Sequence, residues 1–280
     1  MTDATTLPDD DHAETDLGMA AAVTDRGRRH RRNEDAYAVA VEGDRAAVVV
    51  CDGVSSSANP DQASAAAAAA AADALRPSLT GPAQPDPAAV TDVLRAAVSA
   101  AGSAVVGVPG DEPGGHPAAP STTIVVALVE PGRVAVASVG DSRAYWLTPE
   151  PDEQEEPGDA SRRLTVDDSL AEMAIKQGVP PEAAYRLPQA HVITRWLGAG
   201  AREGEEPEVG VFTTERGGLL LVCTDGLWNY FEPPEHLASL ITEHGGTTPI
   251  EMARSLVDAA NAAGGGDNIT VAVVAVPPAA

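Results

Sequence analysis

Aromatic side chains are scarce: three Trp, four Tyr and two Phe in 280 residues. A core without them has to be built from Ala, Val and Leu, with elements packed close together. Cysteine is almost as rare, with Cys51 and Cys223 alone. Each ends an apolar run, which points to buried, reduced thiols rather than a disulfide framework. Neither has a neighbour that would lower its pKa, so a catalytic thiolate is not expected. No run approaches the roughly 20 apolar residues of a membrane span. Met1 to Asp16 is acidic and lacks the apolar stretch of a signal peptide. Cations are few as well: 18 Lys and Arg stand against 42 Asp and Glu, a formal net charge of −24. That balance argues against nucleic acid or an anionic membrane as the main partner. A soluble cytoplasmic monomer is the expectation.

Five short acidic motifs are present, in the order Asn33-Glu34-Asp35, Asp52-Gly53, Gly140-Asp141-Ser142-Arg143, Thr224-Asp225-Gly226 and Gly266-Asp267-Asn268. Four of them adjoin apolar runs that read as buried strands, such as Ala46 to Val50 and Leu219 to Val222. A carboxylate at the end of a buried strand is costly unless a positive charge meets it. With few cations nearby, the set asks for a shared one. Hard divalent ions such as Mg²⁺ and Mn²⁺ take oxygen ligands, and a pair of them can clamp a displacement at phosphorus. Taken singly, each motif is explained as well by a plain turn; the joint occurrence carries the weight. Arg28-Arg29-His30-Arg31-Arg32 is the single dense basic run. It reads either as a solvated stretch or as cations that receive a phosphate beside the first acidic motif.

The polar segment 1–17 reads as a disordered acidic tail. Strands are expected at Met19–Val23, Ala36–Val41, Ala46–Cys51, Thr122–Val129, Arg133–Ser138, Arg143–Leu147, Leu219–Cys223 and Ile269–Val276. Helices are expected at Asp61–Leu75, Pro87–Val106, Asp168–Gln177, Leu237–Ile241 and Thr248–Ala263. A Gly/Pro-rich loop covers 108–120 and an acidic loop lies within 148–163. Most strand links are hairpin-like, so the fold class is α+β, with antiparallel sheets and helices on their outer faces.

The motif series resembles the metal-dependent protein phosphatases, the PPM family of type 2C serine/threonine phosphatases, in their compact bacterial form. The matching stretches are Thr24-Asp25-Arg26-Gly27, Arg32-Asn33-Glu34-Asp35, Asp52-Gly53, Gly140 to Tyr145, Leu164 to Ser169, His191 to Arg195, Cys223 to Leu227 and Gly266 to Thr270. The resemblance implies one domain over 18–277, a sandwich of two antiparallel sheets flanked by helices, with a flap at 165–191. It implies a centre of two Mn²⁺ or Mg²⁺ ions, with a third position. Asp52 would bridge the two ions, the Gly53 carbonyl would ligate one, Asp225 and Asp267 would hold the other, and Asp141 with Asp225 would form the third position. Glu34 and Asp35 would orient metal-bound water, and Asn268 would order the loop carrying Asp267. The implied reaction is hydrolysis of phosphoserine or phosphothreonine by direct attack of hydroxide, with no phosphoenzyme.

Two positions depart from the family pattern. Where the family carries a phosphate-holding arginine this chain has His30, leaving the role to protonated His30 or to Arg29, Arg31 or Arg32. After Asp-Gly, where some members have a histidine, it has Val54, so water or another group must protonate the leaving oxygen. Phosphorylated proteins and a cognate protein kinase are the implied partners. The alternative reading is a catalytically silent fold of the same family that binds phosphoprotein.

Overall fold

The structure, a computed structural model, describes residues 2–5, 11–82, 86–110, 119–148, 160–198, 206–244 and 246–279. In chain order the strands are β1 (Thr2–Thr5), β2 (His12–Asp16), β3 (Ala20–Asp25), β4 (Asp35–Glu42), β5 (Arg45–Asp52), β6 (Ser121–Thr122), β7 (Ile124–Glu130), β8 (Arg133–Val139), β9 (Arg143–Leu147), β10 (Arg162–Arg163), β11 (Leu197–Gly198), β12 (Glu208–Thr213), β13 (Gly218–Cys223) and β14 (Ile269–Val276). The helices are α1 (Pro60–Thr80), α2 (Pro87–Val106), α3 (Leu170–Lys176), α4 (Pro181–Ala184), α5 (Asp225–Trp228), α6 (Pro234–His244) and α7 (Pro249–Ala263).

One six-stranded sheet runs β1-β4-β5-β7-β8-β12 and the other β10-β9-β13-β14-β3-β2, every pairing antiparallel. Val48, Val50, Val125, Ala127, Val222 and Val274 fill the space between the sheets. The outer face of the first sheet is covered by α1 and α2 through Ala67, Ala71, Leu75, Leu94 and Val98. Leu227, Leu237, Leu256 and Val257 of α5, α6 and α7 cover the second. The result is a four-layer α+β sandwich: the antiparallel sheets and outer helices follow the hairpin connections, and the two-sheet sandwich is the one the resemblance implies. Small side chains explain the close fit of α1, whose Ala63, Ala67, Ala68 and Ala71 are fully buried.

Two expectations need correcting. Residues 2–5 and 12–16 do not belong to a disordered tail, because β1 pairs with β4 and β2 with β3, and each supplies one edge strand to a sheet. Composition misled here: an edge strand is held by its backbone ladder and needs few apolar side chains. Ion pairs Arg254–Glu14, Arg76–Asp3 and His12–Asp25 add to the hold. A helix long and apolar enough to cross a membrane also exists, contrary to the reading that no run qualifies: α2 has 20 residues and a mean hydropathy of 1.4. Its Val90, Leu94, Ala97, Val98, Ala101 and Val105 pack into the core, which identifies it as a core helix. The acidic stretch Pro149 to Glu156 and most of the 108–120 loop lie outside the described residues.

Candidate metal centre

The five acidic motifs collect at one end of the sandwich because the antiparallel registers put strand ends together. Asp35 opens β4 directly opposite Asp52, the last residue of β5. On the other sheet Cys223 pairs with Val271, which sets Thr224-Asp225 beside the start of β14 and its leading Asp267. Gly140-Asp141 is the turn by which the chain passes from β8 in one sheet to β9 in the other. Gly140 takes φ +103 there, and a Cβ on it would meet Thr123 at 2.6 Å, so glycine is required.

Buried hydroxyls fix these carboxylates. Thr224 and Thr270 donate through Oγ1 to Asp35 Oδ2, at 2.9 and 2.8 Å. Thr122 donates to the Asp52 carbonyl at 2.8 Å, and the Asp52 N–H donates to Thr123 Oγ1 at 3.1 Å. Asn229 donates to Asp225 Oδ2 at 3.1 Å. Asn268 ties three segments together: its Oδ1 accepts from the Glu34 N–H at 2.8 Å, and its Nδ2 donates to the carbonyls of Arg26 and Arg32 at 2.8 and 3.1 Å. Gly226 packs so closely on this loop that a Cβ would lie 1.9 Å from the Asn268 carbonyl.

The electrostatics are unresolved by the protein itself. Asp35 Oδ1 and Asp225 Oδ1 are buried and have no hydrogen-bond partner. Burial, with Asp225 and Asp267 adding negative charge, pushes the Asp35 carboxyl up to about 8. Burial and the same kind of crowding push Asp141 up to about 8 and Asp225 to about 6. Asp52 is driven well above the usual carboxylate range by burial and then by Asp35, Asp225, Asp141 and Asp267. Asp52, Asp225 and Asp267 remain partly exposed, so the cluster opens to solvent on one side. Among the described residues no three of these side chains close around one point as a finished coordination shell. The donor set is nevertheless all oxygen, with orphaned acceptors, and fits a hard divalent ion.

Of the remaining expected residues, Gly53 is positioned by its N–H donating to the Glu34 carbonyl at 3.1 Å. A Cβ there would sit 2.5 Å from the Pro60 carbonyl, so no larger residue fits. The Glu34 carboxylate turns to Ser55, which donates at 2.5 Å, and to Arg32 Nε at 3.4 Å. Arg32 also faces Asp61 at 3.2 Å. His30 stands on the cluster itself, its Nε2 3.1 Å from Asp267 Oδ1.

Sequence reasoning missed Thr224, Thr270, Asp61 and Trp228. The threonines adjoin motif residues, but only the paired registers reveal that both hydroxyls serve Asp35. Trp228 donates through Nε1 to the Asp141 carbonyl at 2.9 Å. The buried Arg143 guanidinium lies 3.7 Å over its ring and binds Asp167 at 2.6 Å. The His191 ring lies 5.7 Å from the Trp228 ring, so the 165–191 segment touches the centre through this tryptophan. That segment is also stitched to the Gly140 turn, where the Gly140 N–H donates to Asp168 Oδ2 at 3.1 Å.

Comparison with known proteins gives concordant results. The family model described as Protein phosphatase 2C matches residues 24–258. The serine/threonine phosphatase stp of Listeria innocua is 34% identical over 155 residues, covering 55% of this chain and 56% of that protein. The chain thus spans about half the length of the curated relatives it matches. The S. agalactiae serine/threonine phosphatase superposes with a TM-score of 0.70 at 26% identity, over 92% of this chain and 98% of that one. The catalytic domain of the serine threonine protein phosphatase PstP, solved in complex with two manganese ions, shares the fold at a TM-score of 0.64 and 24% identity, over 92% and 97% of the chains.

Proposed function

The chain belongs to the protein phosphatase 2C family, and from that premise we propose that it is a metal-dependent serine/threonine protein phosphatase. The observation that carries this reading is the gathering of Asp35, Asp52, Asp141, Asp225 and Asp267 at one end of the sandwich, with buried carboxylate oxygens that no protein donor satisfies. Asp52, the Gly53 carbonyl, Asp225 and Asp267 would hold two Mn²⁺ or Mg²⁺ ions, and Asp141 with Asp225 a third. Such ions, when bound, supply positive charge for the phosphoryl oxygens and lower the pKa of water so that hydroxide attacks phosphorus directly.

The protein's own groups do the rest. Thr224 and Thr270 hold Asp35 through Oδ2 and leave its buried Oδ1 free to meet a cation. Asn268 keeps Glu34, the Asp267 loop and the basic loop in register. His30, whose Nε2 lies 3.1 Å from Asp267 Oδ1, would take the place of the phosphate-holding arginine when protonated. Arg32 fixes the Glu34 and Asp61 carboxylates. Neither cysteine serves as nucleophile, since both are buried and burial pushes their thiols up. Two free thiols also suit a reducing cytoplasm, where a protein kinase would supply the phosphoproteins.

Release of phosphate from a phosphothreonine peptide tests the proposal, with Mn²⁺ and then with EDTA, in wild type and Asp52→Asn. Turnover that needs the ion and is lost in the variant supports the enzyme. A folded wild type that binds the peptide without turning it over would favour the phosphoprotein-binding alternative.

A further inference from the structure

The chain is acid-rich, and its arginines are mostly spoken for. Arg26 pairs with Asp11, Arg45 and Arg133 with Glu130, Arg95 with Glu206, Arg163 with Glu172 and Arg195 with Asp168. Against this background Arg28, Arg29 and Arg31 stand out. All three are exposed, and none has an ion pair or side-chain hydrogen bond among the described residues. Three unpaired cations lower the magnitude of the net charge, so they add nothing to solubility.

Their loop is built to stay put. Gly27 takes φ +74, and a Cβ on it would lie 2.1 Å from the Asp267 carbonyl. The Gly27 N–H donates to Asp25 Oδ1 at 2.8 Å, and the Arg28 N–H donates to the Gly265 carbonyl at 2.8 Å. Asn268 grips the loop at the carbonyls of Arg26 and Arg32, and Arg26 donates to the Arg31 carbonyl at 3.4 Å. The backbone is therefore clamped onto the segment carrying Asp267, and Arg28, Arg29 and Arg31 are exposed on it, flanking the His30 that contacts Asp267.

From this we propose that residues 28–31 form a specificity surface that selects phosphopeptides carrying Asp or Glu next to the phosphorylated residue. The inference rests on the phosphatase reading above. An anionic substrate meets repulsion from a chain of net charge −24. At physiological salt that field is screened beyond about 8 Å, so the charges within reach of the bound peptide decide. Here those are guanidinium groups, whose planar fork matches a carboxylate. Peptides with basic flanks would meet like charge on the same surface.

The test uses two phosphothreonine peptides of equal length, one flanked by Glu and one by Lys, with kcat/KM measured for each. Wild type should prefer the Glu-flanked peptide by about five- to tenfold at low salt, from two or three exposed charge pairs, with the preference fading near 1 M salt. In Arg28→Ala/Arg29→Ala/Arg31→Ala the ratio should fall toward one, and with the three changed to Glu it should invert. A ratio is independent of how much protein folds, so partial misfolding leaves the readout intact. A wild-type ratio at or below one, or a ratio the variants keep, overturns the proposal. Mn²⁺-dependent hydrolysis of p-nitrophenyl phosphate by wild type is measured alongside. If it is present without a flank preference, this inference alone fails; if it is absent, the phosphatase reading fails and takes this inference with it.

Discussion

Replacing Asp225 with Asn should stabilise the metal-free protein while destroying its catalysis. The Asp225 carboxyl rises from 3.8 to about 6 on folding, through burial and the negative charge of Asp267. At pH 7.5 the folded chain must hold it ionised, at a cost of at most about 3 kcal/mol relative to the unfolded chain. Its open side admits solvent, so about 2 kcal/mol is the working figure. The amide has the same shape, keeps an oxygen to accept from Asn229, and carries no charge. In EDTA at pH 7.5 the variant should therefore melt roughly 4–8 °C above wild type. Adding Mn²⁺ should raise the wild-type melting temperature strongly and the variant's little, since a ligand stabilises the state that binds it. Calorimetric or fluorescence melting with and without the ion reads both effects. An Asn variant that melts below wild type in EDTA, or equal Mn²⁺ shifts in the two proteins, would refute the reasoning.

Other consequences follow from the same arrangement. Asp35 and Asp141 are pushed up to about 8 and Asp225 to about 6, all from 3.8. The metal-free folded chain thus keeps protons that the unfolded chain has lost. Stability fully present below about pH 4 should drain away as pH rises through 6 to 8, and a melting temperature in EDTA that is flat or rising over that range would contradict this. Gly226→Ala places a methyl 1.9 Å from the Asn268 carbonyl, which is backbone and cannot swing aside. A loss of about 2 kcal/mol or more in urea unfolding, with failure of Mn²⁺-dependent turnover, is expected. Asp167→Ala strands the fully buried Arg143, for which the exposed Glu232 is a poor replacement. Urea unfolding should show a loss of about 3 kcal/mol; a change under about 1 kcal/mol would mean Arg143 finds another partner.

Much of this was legible before any coordinates. The apolar runs ending at Cys51 and Cys223 read as buried strands because they are short and continuously apolar, without alternation, and they are β5 and β13. Asp52 and Asp225 could be flagged because a carboxylate directly after such a run has nowhere dry to go. What stayed hidden depends on register or on backbone alone. β1 and β2 carry exposed polar side chains and are held by ladders that composition does not encode. β12 reads Glu-Val-Gly-Val-Phe-Thr, with little burial to mark it, and exists because β8 offers a free edge. The convergence of Thr224 and Thr270 on Asp35 needs two strands from one sheet to meet the end of a strand from the other. Trp228 sits two residues from a glycine that sequence reading assigned to a turn, yet its indole bridges Asp141 and the 165–191 segment. His30 was singled out as a departure from the arginine pattern, and its contact with Asp267 follows from the clamp on the basic loop.

The central claim is that these carboxylates exist to hold divalent cations, and titration of metal-free protein with Mn²⁺ by isothermal calorimetry tests it most directly. The account predicts that wild type binds two or three ions at pH 7.5, releases protons on binding because burial pushes Asp35 and Asp141 up to about 8, and that Asp52→Asn loses the tightest site. Wild-type protein that takes up no Mn²⁺, or an Asp52→Asn titration indistinguishable from wild type, would contradict it.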